Sequence, residues 1–408
     1  MIMTSQLSLF RVTLLLSCVS LLTACSLVGG PWTGHKPPPA PAVVAAPPPP
    51  PLPAPQETSR FELLDAKQNI IGDLQQTTVG KDDTLTDIAR RFNLGYEELL
   101  RANPGVDPWL PGVGRVIVLP TRFVLPDAPH DGVVINIAAM RLYYFPKPRS
   151  GERQVVFTHP IGIGKVGWAT PEGTTKIMRR QKDPTWHPPI SVIKEHKENG
   201  DDLPSVVGPG PDNPLGNRAF YLTWPGYLIH GTNKPAGVGL RSSHGCIRLF
   251  PEDILELFDK IAIGTQVHVV NQPYVFGWDN GQLVMQSFGS LEDDRRDWKK
   301  AQAALLARSL GKPVQQELKA RGETVDWELV MQLAHTPRGL IVPVTQTDAS
   351  VDKVLASATK VQNELPAGAS WDGKSDLPVD EKTFNQIMGD SDPQEHLAPA
   401  PAVHKTGG

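Results

Sequence analysis

Short apolar runs separated by Gly, Pro and Asn clusters dominate the middle of the chain, from residue 132 to residue 271. Runs that are rich in β-branched and aromatic residues and bounded by turn residues are typical of strands. The predicted strands are Val133–Ile137, Arg141–Phe145, Gln154–Thr158, Thr174–Met178, Phe220–Trp224, Tyr227–Ile229 and Gln266–Val270. A helix is predicted over Pro251–Ile261, where a proline and two acids suit a helix N-terminus. This pattern predicts a mostly antiparallel sheet or sandwich.

Residues 77–121 show a different pattern, in which two short helical segments lie between two strands. Leu85 and Ile88 are spaced as on one face of a helix, and Thr84 is placed to cap it. A second helix is predicted over Tyr96–Ala102, and a final strand ends at Pro120. This part of the chain therefore reads as a small unit of its own.

The C-terminal part is less regular. A β-hairpin is predicted over Tyr274–Phe288, turning at Asp279-Asn280-Gly281. Helices are predicted over Leu291–Leu310 and Asp326–Leu333, so residues 272–343 form a hairpin and helical extension. Residues 344–408 are rich in Asp, Ser, Ala and Pro, which predicts a disordered tail.

The N-terminus has the layout of an export signal followed by a proline-rich segment. A basic start ending at Arg11, an apolar run over Val12–Leu22 and small residues before Cys25 predict a signal peptide at residues 1–24. The apolar run is too short to span a bilayer as a mature helix. Residues 37–55 contain eleven prolines, so a linker without helix or sheet is predicted over residues 25–60.

Composition limits the classes of function open to the chain. A formal net charge of −3 offers no basic surface for nucleic acid. With 40% hydrophobic residues, the 408-residue chain has enough apolar side chains for more than one core. Among three cysteines, Cys18 lies in the signal and Cys25 at the predicted cleavage point, which leaves Cys246 as the expected thiol of the folded part. A single thiol cannot form an internal disulfide.

The candidate chemistry lies around Cys246. His230 ends an apolar strand sixteen residues earlier, and the loop between them can bring both side chains together. His230 is then a general base, because a cysteine attacks as its thiolate and needs a base or a positive neighbour to lower its pKa. His244 would add positive potential or a hydrogen bond, and Arg248 has a guanidinium suited to a carboxylate. The backbone N–H groups of Gly245 and Cys246 are predicted oxyanion donors.

Some features of this site stay open at the level of sequence. No acid lies close in sequence to orient His230, so a backbone carbonyl or a distant Asp or Asn takes that place. His230, His244 and Cys246 also form a set that can bind zinc, although His244 and Cys246 are separated by a single residue. A buried, inert cysteine is the third alternative.

Three segments resemble known families. Leu22-Thr23-Ala24-Cys25 resembles a bacterial lipobox. Val79–Leu85 together with Ala102-Asn103-Pro104 resembles the LysM module, apart from Asp82-Asp83 where that family usually has Gly-Asp. The signature of the L,D-transpeptidase (YkuD) family is similar to His230-Gly231-Thr232-Asn233 followed by Ser243-His244-Gly245-Cys246-Ile247-Arg248-Leu249.

These resemblances imply a fold and a set of site residues. The implied fold class is mainly β, with a YkuD-like β-sandwich catalytic domain at residues 131–271, a small βααβ LysM domain at residues 76–121, and a partly helical, partly disordered C-terminal extension. The residues implied as catalytic are Cys246 as nucleophile, His230 as base, His244 and Gly245; those implied to bind substrate are Ser243, Arg248, Gly231, Thr232 and Asn233. No cofactor or metal is implied.

The transpeptidase resemblance also implies a reaction on peptidoglycan stem peptides. The thiol would form a thioester at meso-diaminopimelate, release D-Ala, and pass the acyl group to an amine. That amine is another diaminopimelate, giving a 3–3 crosslink, or a lysine of an outer-membrane lipoprotein. The residues alone support only acyl transfer through a thiol. Hydrolysis of the same bond by a carboxypeptidase or amidase, and a non-catalytic lipoprotein that tethers peptidoglycan, remain as alternatives.

The other two resemblances imply a location. Acylation of Cys25 would anchor the protein by lipid in the periplasm, at the outer membrane because Ser26 is not the aspartate that inner-membrane retention commonly needs. The LysM module would bind the glycan of peptidoglycan. We expect deletion of Val79–Pro120 to weaken binding to sacculi and to leave turnover of a soluble substrate largely intact.

Overall fold

A computed structural model describes residues 50–65, 68–198, 200, 202–345, 348–369 and 371–373. The predicted signal peptide, the predicted lipidation site Cys25, most of the linker and the end of the predicted tail lie outside the described residues. From residue 51 onward the chain forms one compact unit. Within the described part, no helix is both long and apolar enough to cross a membrane.

The secondary structure of the described residues mixes many short strands with eight α-helices. The strands are β1 (Arg60–Glu62), β2 (Ile70–Gly72), β3 (Gln75–Thr78), β4 (Val116–Leu119), β5 (Arg122–Val124), β6 (Gly132–Asn136), β7 (Arg141–Phe145), β8 (Val155–Pro160), β9 (Ile163–Gly164), β10 (Gly173–Lys182), β11 (Arg218–Leu222), β12 (Leu228–His230), β13 (Arg241–Ser243), β14 (Ile247–Arg248), β15 (Gln266–Val270), β16 (Tyr274–Asp279), β17 (Gln282–Ser287), β18 (Ile341–Pro343) and β19 (Thr359–Lys360). The helices are α1 (Leu85–Arg91), α2 (Tyr96–Ala102), α3 (Ile190–Glu198), α4 (Pro251–Lys260), α5 (Trp298–Ser309), α6 (Gly311–Arg321), α7 (Trp327–His335) and α8 (Val351–Ala356), with a short 3-10 helix at Pro235–Gly237.

A nine-stranded sheet forms the centre of the fold, in the order β1-β8-β7-β6-β15-β10-β11-β12-β14. Most neighbouring strands are antiparallel, whereas β15 with β6 and β12 with β14 are parallel pairs. Helix α4 starts with Pro251 at its first turn and buries Ile254, Leu257 and Phe258 against the sheet. The prediction of a mainly β chain with a small βααβ unit and a helical C-terminal region is confirmed.

The LysM unit forms as its sequence pattern predicts, with β3 and β4 antiparallel and two helices between them. Thr84 caps α1: its side chain accepts a hydrogen bond from the backbone N–H of Asp87, and the Asp87 carboxylate accepts one from the backbone N–H of Thr84. Asp82 has a φ of 63°, at the position where the family usually has glycine. Aspartate tolerates this left-handed conformation better than most residues, so the departure leaves the loop formed.

The unit that resembles LysM and the central sheet share one hydrophobic core. Leu85, Ile88 and Leu99 of the LysM helices belong to the same buried cluster as Val134 and Tyr143 of the central sheet. The LysM unit is therefore part of a common core, and removing either unit would expose the apolar surface of the other. This packing argues against the expectation that deletion of Val79–Pro120 leaves turnover intact.

Buried charge also connects the two units. The Arg141 side chain on β7 is fully buried, and its Nη2 donates to Glu98 Oε2 of α2 at 2.8 Å, while its Nε donates to Glu98 Oε1 at 3.1 Å. Arg90 of α1 makes a second two-pronged ion pair with Glu252 at the start of α4, at 2.8 Å for both bonds. These arginine pairs have the bidentate geometry that adds specificity of orientation.

The C-terminal extension contains the predicted hairpin, in which Asp279 pairs with Gln282 across the turn. The prediction of a disordered tail from residue 344 is wrong for the part that the structure describes. Strand β19 pairs in parallel with β3 of the LysM unit, and α8 precedes it. Val344 and Val361 are buried at 0% and 1% exposure. The segment is poor in apolar residues, but the few that it has insert into a core supplied by distant elements.

Candidate active site

The parallel pairing of β12 with β14 brings the two halves of the motif together. Ile229 pairs with Ile247 and His230 pairs with Arg248. Because successive side chains of a strand point to opposite faces, the two isoleucines lie on one face, where both are fully buried against the α4 core. His230 and Arg248 share the other face, and Cys246 lies two residues before Arg248, at the entry to β14.

His230 is held by the backbone of its own neighbour. Its side chain is buried, and its Nδ1 lies 2.6 Å from the carbonyl oxygen of Gly231. A carbonyl can only accept, so Nδ1 carries the proton and Nε2 presents its lone pair. A backbone carbonyl thus takes the place of the missing acid. Burial, reinforced by the charge of Arg248 and opposed by the Gly231 hydrogen bond, lowers the pKa of His230 to about 3.

The surroundings of Cys246 favour the protonated form of its thiol. The residue is partly exposed, and its Sγ lies 3.6 Å from the carbonyl oxygen of Gly226. Burial raises the pKa of the thiol, and a backbone hydrogen bond from Leu228 and the charge of Arg248 oppose this only in part. The charge of Arg248 acts on this pKa in the expected direction but does not outweigh burial. Burial thus disfavours both the thiolate of Cys246 and the protonated form of His230.

The turn before the thiol is built by Ser243 and Gly245. The Ser243 hydroxyl donates to the carbonyl oxygen of Cys246 at 2.6 Å and accepts from the backbone N–H of Gly245 at 3.2 Å. Gly245 has a φ of +100°, and a Cβ there would lie 3.0 Å from Cε1 of Tyr227, so the turn requires glycine. The N–H of Gly245, predicted as an oxyanion donor, is engaged by Ser243 in this structure.

The remaining motif positions have mixed roles. A Cβ on Gly231 would lie 3.0 Å from the Ile254 side chain, so this glycine permits close packing on α4. Thr232 is buried and its Oγ1 accepts from the backbone N–H of Lys234, which shapes a turn, and Asn233 is half-buried with no bond that assigns it a role. Arg248 donates through Nη1 to Ser242 at 3.2 Å, while its Nε is buried and has no hydrogen-bond partner in the part of the chain that the structure describes.

A second cluster surrounds His244 and was missed by the sequence analysis. Its Nε2 lies 2.5 Å from Oε2 of Glu195 on α3, and Glu195 also pairs with the ammonium of Lys165. The Trp168 ring meets the His244 ring edge-on, with 4.8 Å between centroids. The sequence does not predict α3, because only Val192 of the nine residues of this helix is buried. The helix therefore lacks the apolar periodicity by which helices are recognised.

Electrostatics keep this second pair in the neutral-histidine, charged-carboxylate form. Burial lowers the pKa of His244, the charges of Lys165 and Arg248 lower it further, and Glu195 opposes the shift. Although burial opposes its ionisation, Glu195 has a lowered pKa because Lys165 and His244 both hydrogen-bond to it. Among the described residues, no group of three or more His, Cys, Asp or Glu side chains is placed to hold a metal ion.

Comparison with known proteins extends these observations. The family model of the L,D-transpeptidase catalytic domain (YkuD) matches residues 130–269, and that of the LysM domain matches residues 77–120. Probable L,D-transpeptidase YcfS of Escherichia coli is 41% identical over 227 residues, covering 54% of this chain and 70% of that protein. Probable L,D-transpeptidase ErfK/SrfK of Salmonella typhimurium is 35% identical over 299 residues, covering 72% of this chain and 90% of that protein.

A solved L,D-transpeptidase from Mycobacterium smegmatis aligns over 35% of this chain and 58% of its own, with 22% identity and a TM-score of 0.25. The assignment rests on the sequence relatives and the two domain matches. Since the curated relatives align over most of their own length and the transpeptidase domain match contains both halves of the thiol–histidine motif, this chain belongs to the L,D-transpeptidase family.

Proposed function

We propose that Cys246 is the nucleophile and His230 the general base in the transpeptidation of peptidoglycan stem peptides. The observation that carries the proposal is the β12–β14 pairing, which puts His230 and the entry to β14 on the same face of the sheet. The Gly231 carbonyl supports it, because it leaves Nε2 of His230 as the nitrogen that can accept a proton.

The first half-reaction follows from these groups. Sγ of Cys246 bonds to the carbonyl carbon between meso-diaminopimelate and the terminal D-Ala, while its proton passes to Nε2 of His230. The C–N bond then breaks, and the same proton goes to the departing amine of D-Ala, which leaves a thioester on Cys246. The low pKa of His230 favours prompt return of the proton, since its protonated form is unstable in this buried position.

The second half-reaction transfers the acyl group to an amine. An incoming amine bonds to the thioester carbon and loses a proton, and the thiol of Cys246 is regenerated. The acceptor is a second diaminopimelate or a lysine of an outer-membrane lipoprotein. The buried, unpartnered Nε of Arg248 supports the binding of a stem-peptide carboxylate near the thiol. The LysM unit contributes binding to the peptidoglycan on which the reaction takes place.

Two other functions remain distinguishable by their products. With water as acceptor, the same thioester would give a carboxypeptidase or amidase, and adding an amine would not change the product. A non-catalytic tether would bind sacculi through its LysM unit and form no thioester at all.

The test compares a nucleophile variant with a matched pair of histidine variants. We expect Cys246→Ala to abolish crosslinked muropeptides and covalent labelling by a carbapenem, both measured by mass spectrometry. His230→Gln should slow turnover by about 100- to 10,000-fold, whereas His268→Gln, in a strand on the same sheet, should keep it. Crosslinked products from the Cys246→Ala protein would refute the proposal.

On the same proposal, the protein is a lipoprotein of the periplasm. The Leu22–Cys25 layout supports cleavage before Cys25 and acylation of its thiol, and Ser26 supports sorting to the outer membrane. Membrane fractionation tests this directly, because co-migration with inner-membrane markers would contradict it. Cys25→Ala should release the protein from the membrane fraction and leave the chemistry at Cys246 unchanged.

A further inference from the structure

Helix α3 brings a carboxylate to the active site that the motif does not contain. Glu195 lies 49 residues before His244 in the chain, yet its Oε2 is 2.5 Å from His244 Nε2. Its other oxygen pairs with Lys165, which is itself tied to the motif because its backbone N–H donates to the carbonyl oxygen of Ser243 at 2.9 Å. The cluster therefore rests on three separate segments of the chain.

This contact determines the tautomer of His244. A carboxylate can only accept, so Nε2 carries the proton and Nδ1 presents a lone pair. Among the described residues, Nδ1 of His244 has no hydrogen-bond partner. The edge-on contact with Trp168 restricts the ring plane, so the lone pair has a defined direction.

The cluster lies on the solvent side of the site, in contrast to His230. The side chains of His244, Glu195 and Lys165 are 23%, 26% and 34% exposed, whereas His230 is 4% exposed. Once the donor peptide is bound to Cys246, the second substrate must arrive from solvent. An acceptor amine carries N–H groups, and a lone pair on a fixed imidazole is a suitable partner for them.

We propose that Glu195 is a positioning residue that holds His244 as a hydrogen-bond acceptor for the incoming amine in the second half-reaction. This inference rests on the proposed transpeptidation. The amine donates one N–H to Nδ1 of His244 as its nitrogen bonds to the thioester carbon. The C–S bond breaks, and the proton that leaves the amine nitrogen goes to Sγ of Cys246, which reforms the thiol.

The charges around His244 agree with an acceptor role. The ionisable groups that face its ring are Glu195, Lys165, Arg248 and, at 6.3 Å between ring centroids, His196. Burial together with the two cations lowers the pKa of His244, so Nδ1 keeps its lone pair at neutral pH. The Lys165–Glu195 pair beside it presents both signs of charge, which suits a zwitterionic amino-acid centre such as that of diaminopimelate.

The test separates the two half-reactions. Acylation of Cys246 by a carbapenem needs no amine and reports on the first, whereas crosslink formation at varied acceptor concentration reports on the second. Glu195→Gln is the informative variant, because its single carbonyl oxygen cannot accept from both Lys165 and His244. With that oxygen on the Lys165 ammonium, the amide N–H faces Nε2, which puts the proton on Nδ1 and converts the acceptor into a donor. Glu195→Asp is the conservative variant, and Glu198→Gln on the same helix is the control, since the Glu198 side chain is 65% exposed.

We expect Glu195→Gln to slow amine transfer by about 10- to 100-fold, the range that follows loss of the partner that orients a metal-bound histidine. Acylation should change by less than about threefold, Glu195→Asp should recover part of the transfer rate, and Glu198→Gln should match the wild type. Equal losses in both half-reactions, or no loss in transfer, would overturn the inference. Absence of acylation in the wild type would instead refute the proposed function.

Discussion

The segment Arg241–Arg248 is bordered by two regions of opposite character. On the LysM side, the backbone N–H of Glu97 donates to the carbonyl oxygen of Gly239 at 3.2 Å, and Leu240 is buried in the shared core. On the α3 side, the contact with His244 consists of partly exposed charged side chains. Buried contacts are costly to break, whereas partly exposed ion pairs contribute little to stability. The LysM side therefore holds the segment in place, and the α3 side determines the tautomer of His244.

The LysM unit is in direct contact with the segment that carries the thiol. By sequence it is a detachable binding module, but its helix α2 packs directly on the loop that leads from His230 to Cys246. Two glycines make the contact possible: a Cβ on Gly239 would lie 2.4 Å from the Cα of Gly95. The LysM unit therefore packs against the segment that leads to the thiol. The comparison predicts large effects from substitutions on the LysM side and selective effects on the α3 side.

The largest effect is expected at the buried ion pair. Glu98→Ala leaves the fully buried Arg141 guanidinium without its carboxylate, which costs about 3–5 kcal/mol of unfolding free energy. The control is Glu198→Ala on α3, whose pair with Lys194 has side chains 65% and 76% exposed and should cost at most about 0.5 kcal/mol. Urea unfolding measures both. A cost below about 1 kcal/mol for Glu98→Ala would contradict the rigid-interface interpretation.

A smaller but more specific effect is expected at the glycine contact. Gly95 has an ordinary φ of −82°, so Gly95→Ala adds no backbone strain, but its Cβ would lie 2.8 Å from the Cα of Gly239. We expect a loss of about 1–3 kcal/mol of stability and slower turnover of a soluble stem peptide, although the substitution lies in the LysM unit. Gly208→Ala, where no atom lies within 4 Å of the added Cβ, is the control. Unchanged turnover would show that the two units act independently.

The smallest effect is expected on the pH at which the Cys246 thiol ionises. Because burial raises the pKa of Cys246, the rate of alkylation by iodoacetamide should rise with pH and reach its midpoint above about 8.5, where a free thiol ionises. Glu195→Gln should leave this midpoint in place, since burial, Leu228 and Arg248 set the thiol pKa and none of these lies on α3. A midpoint below 8 would mean that the thiolate is already stabilised in the free enzyme, and the concerted proton transfer would be wrong.

Much of the fold was predictable because its signals are local. The Thr84–Asp87 cap, the α4 start at Pro251 and the turn at Asp279–Gln282 all depend on residues a few positions apart. The motif likewise identified Cys246 and His230 without any coordinates. Helix α3 was not predicted because it buries a single side chain, so it lacks the apolar periodicity by which helices are recognised.

The sequence by itself determined the family and the order of its two domains, and it gave Cys246 and His230 as candidates, because these reside in residue identity and short spacings. Tertiary structure alone decided which group orients His230, which carboxylate meets His244, and that the LysM unit shares a core with the catalytic sheet. The physical reason is that burial and pairing depend on elements far apart in the chain. Neither the desolvation of His230 nor the contact between Glu195 and His244, which lie 49 residues apart, can be predicted from local sequence.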